Sequence, residues 1–203
     1  GTLTDSIMVA SIKPSTRQVA LLSLPRDLVV KIDDEGHKIN YAYALGGMES
    51  VKKKVAQVTG LTLQYYVLLD FSGFRQLIDD VNGIDVTVTQ DFVGLYGAKE
   101  LSTPCSKRNL YYLDDGPYCA ISFTEGIEHM AGERALIYAR IRKLAPQSPN
   151  GDEGSDFARA RRQQAVLQGF KDEVLSAGTV LNPAKISSLS TDLEEHLITN
   201  IEL

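Results

Sequence analysis

Short apolar runs alternate along this chain with longer segments whose apolar residues recur at helical spacing. Two apolar runs, 7–12 and 19–24, are separated by a turn-forming Lys-Pro-Ser-Thr-Arg segment, which predicts a hairpin. Residues 71–81 carry Phe74 and Leu77 on one face of a predicted helix. Strands that alternate with helices predict an α/β fold. Because the early hairpin is antiparallel, we expect a mixed central β-sheet sandwiched by helices.

The other predicted elements follow from the same periodicities and from capping residues. They are a helix that follows Gly47 and is ended by Gly60, strands over 65–69 and 84–88, a helix over 131–140, a long helix capped by Ser155 or Asp156 and running to Leu175, and a last helix from about Pro183. Residues 90–124 are predicted to be irregular, and residues 145–155 to form a loop. The 203 residues fit a single domain over 1–203.

The net charge and the distribution of arginines limit the kind of ligand that the chain can bind. The net charge of −5 argues against a protein that binds nucleic acid over its whole surface. Arginines nevertheless cluster between Arg134 and Arg162, which indicates a local anion site. There is no run of 18 apolar residues. Because the chain does not begin like a natural protein, we expect a membrane anchor upstream of Gly1.

The chain has two cysteines, Cys105 and Cys119, in a segment rich in turn-forming residues. An even number in such a segment favours a disulfide and an oxidising compartment. A loop of this size gives about 3 kcal/mol in the loop-entropy model. Two free thiols are the alternative.

The long helix after Asp156 carries the most informative pattern. Arg159, Arg162, Gln163 and Val166 follow the i, i+3, i+4, i+7 spacing and share a face. Two neighbouring guanidinium groups repel each other unless an anion lies between them, and the start of a helix also favours negative charge. Phe170 continues the face as an apolar end, as a lipid phosphate would require. The alternative is a solvated surface, which we accept for Arg161 on the other side of the helix.

Three further pairs are candidates for the same site. Arg140 and Arg142 share a side only if the helix ends near Arg140. Arg26 and Asp27 follow a buried strand, where ligands collect in α/β folds; a structural salt bridge is the alternative. Lys38 and Asn40 alternate after a turn and can face one site together.

Other chemistries find little support in the sequence. The three histidines lack the spacing of zinc ligands, and no P-loop, dinucleotide-binding or G-x-S-x-G motif occurs.

Taken in order, seven segments between residues 4 and 175 resemble the LytR-CpsA-Psr family. They are Thr-Asp-Ser-Ile-Met at 4–8, Ser-Leu-Pro-Arg-Asp at 23–27, Lys-Ile-Asn at 38–40 with Ala42 and Gly46-Gly47, Val-Leu-Leu-Asp-Phe-Ser-Gly-Phe at 67–74, Ile-Asp-Asp-Val-Asn-Gly-Ile at 78–84, Ala-Leu-Ile-Tyr-Ala-Arg-Ile-Arg at 135–142, and Asp-Phe-Ala-Arg-Ala-Arg-Arg-Gln-Gln at 156–164.

The resemblance implies an extracytoplasmic enzyme, anchored to the outer face of the cytoplasmic membrane of Gram-positive bacteria. Members of the family transfer a glycan polymer with its phosphate from a polyprenyl-pyrophosphate carrier to peptidoglycan or a surface protein. A hydrolase that only cleaves the pyrophosphate, and a non-catalytic lipid-binding or regulatory module, remain the alternatives.

The resemblance also implies roles for particular residues. Five arginines are expected to hold the pyrophosphate, with help from Gln163: Arg26, Arg140, Arg142, Arg159 and Arg162. Asp5 is expected to bind Mg²⁺, together with a second aspartate upstream of Gly1. Arginines and Mg²⁺ supply the charge neutralisation that displacement at a pyrophosphate needs. Asp27 is expected either to activate the acceptor hydroxyl or to orient Arg26.

The carrier's tail leads to one more expectation. A polyprenyl chain gains about 0.8 kcal/mol for each methylene it buries, and the family holds it in an apolar pocket between sheet and helices. We therefore expect an elongated cavity lined by Phe74, Leu77, Val166 and Phe170.

Overall fold

A computed structural model describes residues 3–13, 15–16, 18–176 and 195–201. The predicted helix near Pro183 lies outside these residues. The elements, in chain order, are β1 (Ile7–Lys13), β2 (Gln18–Leu24), β3 (Val29–Ile32), β4 (Glu35–Lys38), α1 (Ala42–Thr59), β5 (Val67–Leu69), α2 (Phe71–Asp80), β6 (Ile84–Val88), β7 (Phe92–Gly97), β8 (Leu110–Leu113), β9 (Gly116–Phe123), β10 (Gly126–Met130), α3 (Gly132–Arg140), β11 (Lys143–Leu144), α4 (Asp156–Ser176) and β12 (Leu197–Thr199).

The chain divides into two compact units. The first contains Gly1–Tyr66 and Asn200–Leu203, and the second contains Val67–Thr199. A single catalytic domain over residues 1–203 stays a prediction.

The α/β class is confirmed, since helices and several small sheets make up both units. β1 pairs with β2 and β3 with β4 in the first unit. In the second unit, β6 pairs with β10, β5 with β12, and β11, β7, β9 and β8 form a four-stranded sheet in that order. Within each unit, every pairing of the described strands is antiparallel. The parallel pair that a mixed sheet requires does not occur within either unit's described strands.

The first unit buries an aliphatic core under its two hairpins. Ile7 and Val9 of β1 pack with Ile32 of β3 and with Val51 and Val55 of α1. The predicted helix after Gly47 is present as the longer part of α1. α1 is kinked at Gly46 and Gly47, and Gly47 adopts a positive φ of 61°. Gly60 ends α1 in the left-handed conformation, as its predicted role requires.

The core of the second unit lies against β6, whose residues alternate between buried and exposed. α4 crosses β6 so closely that a Cβ on Gly169 would lie 2.4 Å from the Asp85 carbonyl oxygen. α3 contacts both α2 and α4. This arrangement brings the end of α3 beside the first turns of α4, which are the two predicted arginine segments.

The prediction of an irregular segment over 90–124 is wrong. β7, β8 and β9 occupy much of it and form the centre and one edge of the four-stranded sheet. The expected disulfide is present: Cys105 is bonded to Cys119 of β9, with an S–S distance of 2.12 Å. The bond ties the loop before β8 to the sheet.

Candidate functional site

Backbone hydrogen bonds bring three predicted site segments together in the first unit. The amide of Asn40 donates to the carbonyl of Arg26 at 3.2 Å, and the amide of Thr4 donates to the carbonyl of Asn40 at 3.3 Å. Arg26 lies in the turn after β2, while Asn40 lies in the short 3₁₀ helix after β4. Segments distant in sequence therefore meet at one place, and its role as a ligand site stays a prediction.

The charged side chains of this place form a chain of alternating sign. Nη1 of Arg26 lies 3.0 Å from Oδ1 of Asp5, and its Nε lies 3.6 Å from Oδ2 of Asp27. Nζ of Lys38 donates to the other Asp27 oxygen at 2.6 Å. Two cations thus share two carboxylates, and the Arg26 guanidinium has a fixed direction before any ligand arrives.

Three buried polar atoms beside this chain have no hydrogen-bond partner among the described residues: Thr4 Oγ1, Arg26 Nε and Asn40 Oδ1. Asn40 is almost fully buried. Leaving a buried polar group unpaired costs about 1–3 kcal/mol, and such groups in native proteins often await an ion, water or ligand. The cluster therefore has capacity to bind something more.

In the second unit, Arg140 lies at the end of α3 in a cage of aromatic and acidic groups. Its Nη1 donates to the Tyr96 hydroxyl and to Oε2 of Glu100, both at 2.6 Å. Its guanidinium carbon lies 3.8 Å from the ring centroid of Phe71 and 5.4 Å from that of Tyr96. Burial raises the pKa of Tyr96, and the Glu100 charge adds to this while Arg140 opposes it. The phenol stays protonated and can donate in turn.

Sequence reasoning missed Phe71, Tyr96 and Glu100. Tyr96 belongs to β7, in the segment predicted to be irregular, and Phe71 is the first residue of α2. The β-favouring composition of β7 was the available signal for a strand there.

Arg142 differs from Arg140 in being exposed. The helix ends at Arg140, and Ile141 adopts an extended ψ of 132°, so the helix end that the two-arginine prediction needs is present. Among the residues that the structure describes, the Arg142 side chain makes no hydrogen bond or ion pair. Convergence of the two guanidinium groups on one anion stays a prediction.

The arginines of α4 are paired with carboxylates of the protein itself. Arg159 is buried and lies 2.6 Å from Oδ1 of Asp156. Arg162 is only 1% exposed, and its Nη1 donates to Oε2 of Glu153 at 2.5 Å. Burial lowers the pKa of Arg162, and the bond to Glu153 opposes this. The anions paired with these two arginines are therefore side chains of the protein in this structure. Phosphate contact by Arg162 stays a prediction that these contacts do not support.

Two other expectations about α4 can be compared with the structure. Arg161, expected to be a solvated residue, is half exposed but also bonds to Glu153. Nε2 of Gln163 donates to the carbonyl of Ala139 at 3.3 Å, so this side chain contacts the end of α3. A role of Gln163 at the pyrophosphate stays a prediction.

The residues predicted to line the apolar cavity have contacts in the core. Val166 belongs to the buried core of the second unit, and Phe74 and Phe170 pack against it. Leu77 lies half buried on α2. The cavity itself stays a prediction.

Arg26 lies in the first unit, and the other four predicted arginines lie in the second. A single pocket for all five stays a prediction. In the described parts of the chain, no helix has the length and apolar composition needed to span a bilayer.

Comparison with known proteins identifies the family. The profile of the LytR_cpsA_psr family matches residues 1–203. The polyisoprenyl-teichoic acid–peptidoglycan teichoic acid transferase TagV of Bacillus subtilis (strain 168) is 33% identical over 203 residues, which are 98% of this chain and 45% of TagV. The regulatory protein MsrR of Staphylococcus aureus (strain COL) is 32% identical over 201 residues, which are 98% of this chain and 51% of MsrR.

A solved structure agrees. The crystal structure of B. subtilis TagV superposes with a TM-score of 0.69 at 30% identity, over 98% of this chain and 67% of that one. The chain belongs to the LytR_cpsA_psr family, as the resemblance predicts. It spans about half the length of the curated relatives it matches.

Proposed function

We propose that this chain is the catalytic domain of a transferase that moves a glycan with its phosphate from a polyprenyl-pyrophosphate carrier to a cell-wall acceptor. The observation that carries the proposal is the Arg26 guanidinium, preset by Asp5 and Asp27 in a chain 33% identical to a protein named as a teichoic acid transferase. Peptidoglycan and a surface glycoprotein are the two candidate acceptors. The site works outside the cytoplasmic membrane, with the protein held there by an anchor upstream of Gly1.

The reaction is a displacement at phosphorus. The acceptor hydroxyl oxygen bonds to the glycan-bearing phosphorus, the pyrophosphate bridge breaks, polyprenyl phosphate leaves and the hydroxyl proton is released. Charge neutralisation and positioning supply most of the catalysis in such reactions. Guanidinium groups suit this task because they bind phosphate oxygens in bidentate fashion. Arg26, Arg140, Arg142 and Arg159 are the proposed ligands of the pyrophosphate.

Asp27 is better suited to orienting Arg26 than to taking a proton from the acceptor. One of its oxygens accepts from Lys38 at 2.6 Å, and the other faces Arg26 Nε at 3.6 Å. Both oxygens of Asp27 already face cations of the protein, so taking a proton from the acceptor would require one of these contacts to break. We therefore assign Asp27 and Lys38 to the positioning of Arg26.

Mg²⁺ is the proposed cofactor. The Asp5 carboxylate and the unpaired oxygens of Thr4 and Asn40 are the hard donors that this ion prefers. The described residues contain no group of three or more acidic, histidine or cysteine side chains that could hold a metal. Mg²⁺ commonly binds through one or two carboxylates with waters and substrate phosphates, which fits this donor set. When bound, the ion neutralises charge on the pyrophosphate oxygens.

The carrier's tail is proposed to lie in an apolar cavity along α2 and α4, bordered by Phe74, Leu77, Val166 and Phe170. Lining by α4 would place the tail on the same helix face as Arg159. Replacing Leu77 with Trp should then block long-chain carriers and spare short-chain ones, whereas equal loss on both would count against the cavity.

The experiment that tests the function is transfer from a short-chain polyprenyl-pyrophosphate disaccharide to peptidoglycan fragments, with and without Mg²⁺. Arg26→Ala should lower kcat by about 10²–10³-fold, the usual effect of removing one donor to a developing oxyanion. Arg108→Ala is the matched control, because Arg108 is an exposed arginine in the disulfide loop. Release of the phosphorylated disaccharide without transfer would contradict the proposed transferase and indicate a hydrolase.

A second candidate is a regulatory module that binds the lipid without turning it over. The name of MsrR, a regulatory protein 32% identical to this chain, favours it. Tight binding of the carrier without any Mg²⁺-dependent turnover would select this alternative.

A further inference from the structure

The C-terminal end of α3 is capped by side chains of α4. The last carbonyl groups of a helix have no donor within it. Arg162 donates from Nε to the carbonyl of Tyr138 at 2.9 Å and from Nη2 to that of Ile141 at 2.6 Å. Gln163 donates to the carbonyl of Ala139. A cation at this place also suits the negative end of the helix dipole.

Arg162 is itself held from the other side by Glu153. Nη1 donates both to the carbonyl of Glu153 at 2.8 Å and to its carboxylate. Four of the five N–H groups of the guanidinium thus have partners within the protein. The side chains of Arg162 and Glu153 are almost completely buried. A ligand would have to displace these bonds to reach Arg162.

The capped segment is the one that carries the two proposed phosphate ligands. Arg140 is the last residue of α3, and Arg142 follows Ile141 in the extended segment. The bonds to Tyr138, Ala139 and Ile141 therefore hold the backbone before Arg140 and between the two arginines. A small change of backbone direction here would move both guanidinium groups.

We propose that Arg162 and Glu153 are positioning residues: they hold the turn from α3 so that Arg140 and Arg142 point at the pyrophosphate, which Arg162 does not touch. This assignment rests on the proposed function, in which Arg140 and Arg142 bind the substrate. The two arginines that share a face of α4 then have different roles. Arg159 keeps its proposed contact with the pyrophosphate, whereas Arg162 acts through Arg140 and Arg142.

The first measurement is amide hydrogen exchange over residues 138–144 in the protein without ligand. Arg162→Lys keeps a positive charge beside Glu153, but a single ammonium cannot bond to both backbone carbonyls with the geometry of the planar fork. Exchange in this segment should become at least about tenfold faster, since local opening governs it. Arg161→Gln is the matched control, because Arg161 bonds to Glu153 but is half exposed. Unchanged exchange in Arg162→Lys would overturn the proposal.

The second measurement is binding of geranyl pyrophosphate in Mg²⁺ buffer. Arg162→Lys should weaken binding about tenfold in the wild-type background and add nothing in Arg140→Ala/Arg142→Ala, because coupled residues are not additive. An equal further loss in that background would show direct contact by Arg162 and overturn the proposal. If Arg162→Lys does not fold, Glu153→Gln is tested in the same way.

The two measurements keep the proposals apart. Wild-type protein that binds no geranyl pyrophosphate would count against the proposed function. The exchange experiment would still decide whether Arg162 holds the turn.

Discussion

Gly132, the first residue of α3, packs closely against the backbone of α2. A Cβ at this position would lie 2.1 Å from the carbonyl oxygen of Arg75 on α2, and 2.7 Å from its carbonyl carbon. Ordinary contact begins at 3.4 Å, so Gly132→Ala is too close by about 1.3 Å. The obstacle is backbone, which cannot turn aside as a side chain can. Either α3 moves away from α2 or the start of α3 unwinds.

The cost follows from these distances. Overpacking a core costs about 1–3 kcal/mol, and a clash with backbone belongs at the upper end. Alanine is more favourable than glycine in a helix by about 1 kcal/mol. We therefore expect Gly132→Ala to lower the free energy of unfolding by about 2 kcal/mol. At roughly 2–4 °C per kcal/mol for a chain of this size, the Tm falls by about 4–8 °C.

The assay is thermal and urea unfolding of Gly132→Ala beside Gly151→Ala. A Cβ at Gly151 would meet nothing within 4 Å, and a surface change of that kind should stay within about 0.5 kcal/mol of wild type. A Gly132→Ala variant as stable as the control would refute the close packing of α2 on α3. It would also remove the basis for a fixed orientation of the helix that ends in Arg140.

Three further outcomes follow from other contacts. Cys119→Ser should lower the free energy of unfolding by about 3 kcal/mol in urea, because the disulfide closes a loop with a sequence separation of 14; an unchanged midpoint would contradict this. Glu153→Ala should lower the free energy of unfolding by about 3–5 kcal/mol, because it leaves the buried Arg162 guanidinium without its carboxylate. The control Arg161→Gln should lower it by about 1 kcal/mol or less. Equal Tm values for the two variants would count against the buried pair. The hydrogen bond that His129 donates to the Asp85 carboxylate raises the pKa of His129 above its ordinary value of 6.5. Protonation of His129 thus stabilises the folded state below pH 6.5, and this stabilisation is lost as pH rises through the pKa of the folded protein. If an NMR titration finds the same His129 pKa in Asp85→Asn, Asp85 is not the cause of the shift.

The elements that the sequence predicts well are marked by periodicity or by a turn-forming segment. The hairpin of β1 and β2, the alternating β6 and the amphipathic α2 all lie within a few residues of their predicted bounds. Periodicity identifies β6 and α2 because one side of each meets water, and the turn between two apolar runs identifies the hairpin. Ser155 also caps α4 as expected, since its hydroxyl accepts from the amide of Ala158 at 3.1 Å.

β7 was missed for the opposite reason. Its residues are buried or half buried on both faces, so no polar alternation marks it. Gly94, which reads as a breaker, lies in the middle of the strand because the Ile141 side chain packs there, and a Cβ would lie 2.3 Å from its Cδ1. β10 was missed because Glu128 and His129 give it a polar composition. Tertiary packing decides both strands, and it cannot be read from local pattern.

The arginines of α4 show the same limit in the candidate site. Helical spacing correctly places Arg159 and Arg162 on one face, and their mutual repulsion does require negative charge nearby. Spacing cannot say whether that charge belongs to a ligand or to the protein. Glu153, which decides the matter for Arg162, lies in a 3₁₀ turn within the predicted loop, and no periodicity marks it as buried. The spacing of the two arginines thus predicts that an anion lies nearby. Only the burial of each arginine indicates whether that anion is a side chain of the protein or a bound ligand. Arg162 is enclosed with its carboxylate, whereas Arg142 remains exposed, so the exposed arginine is the stronger candidate for the pyrophosphate.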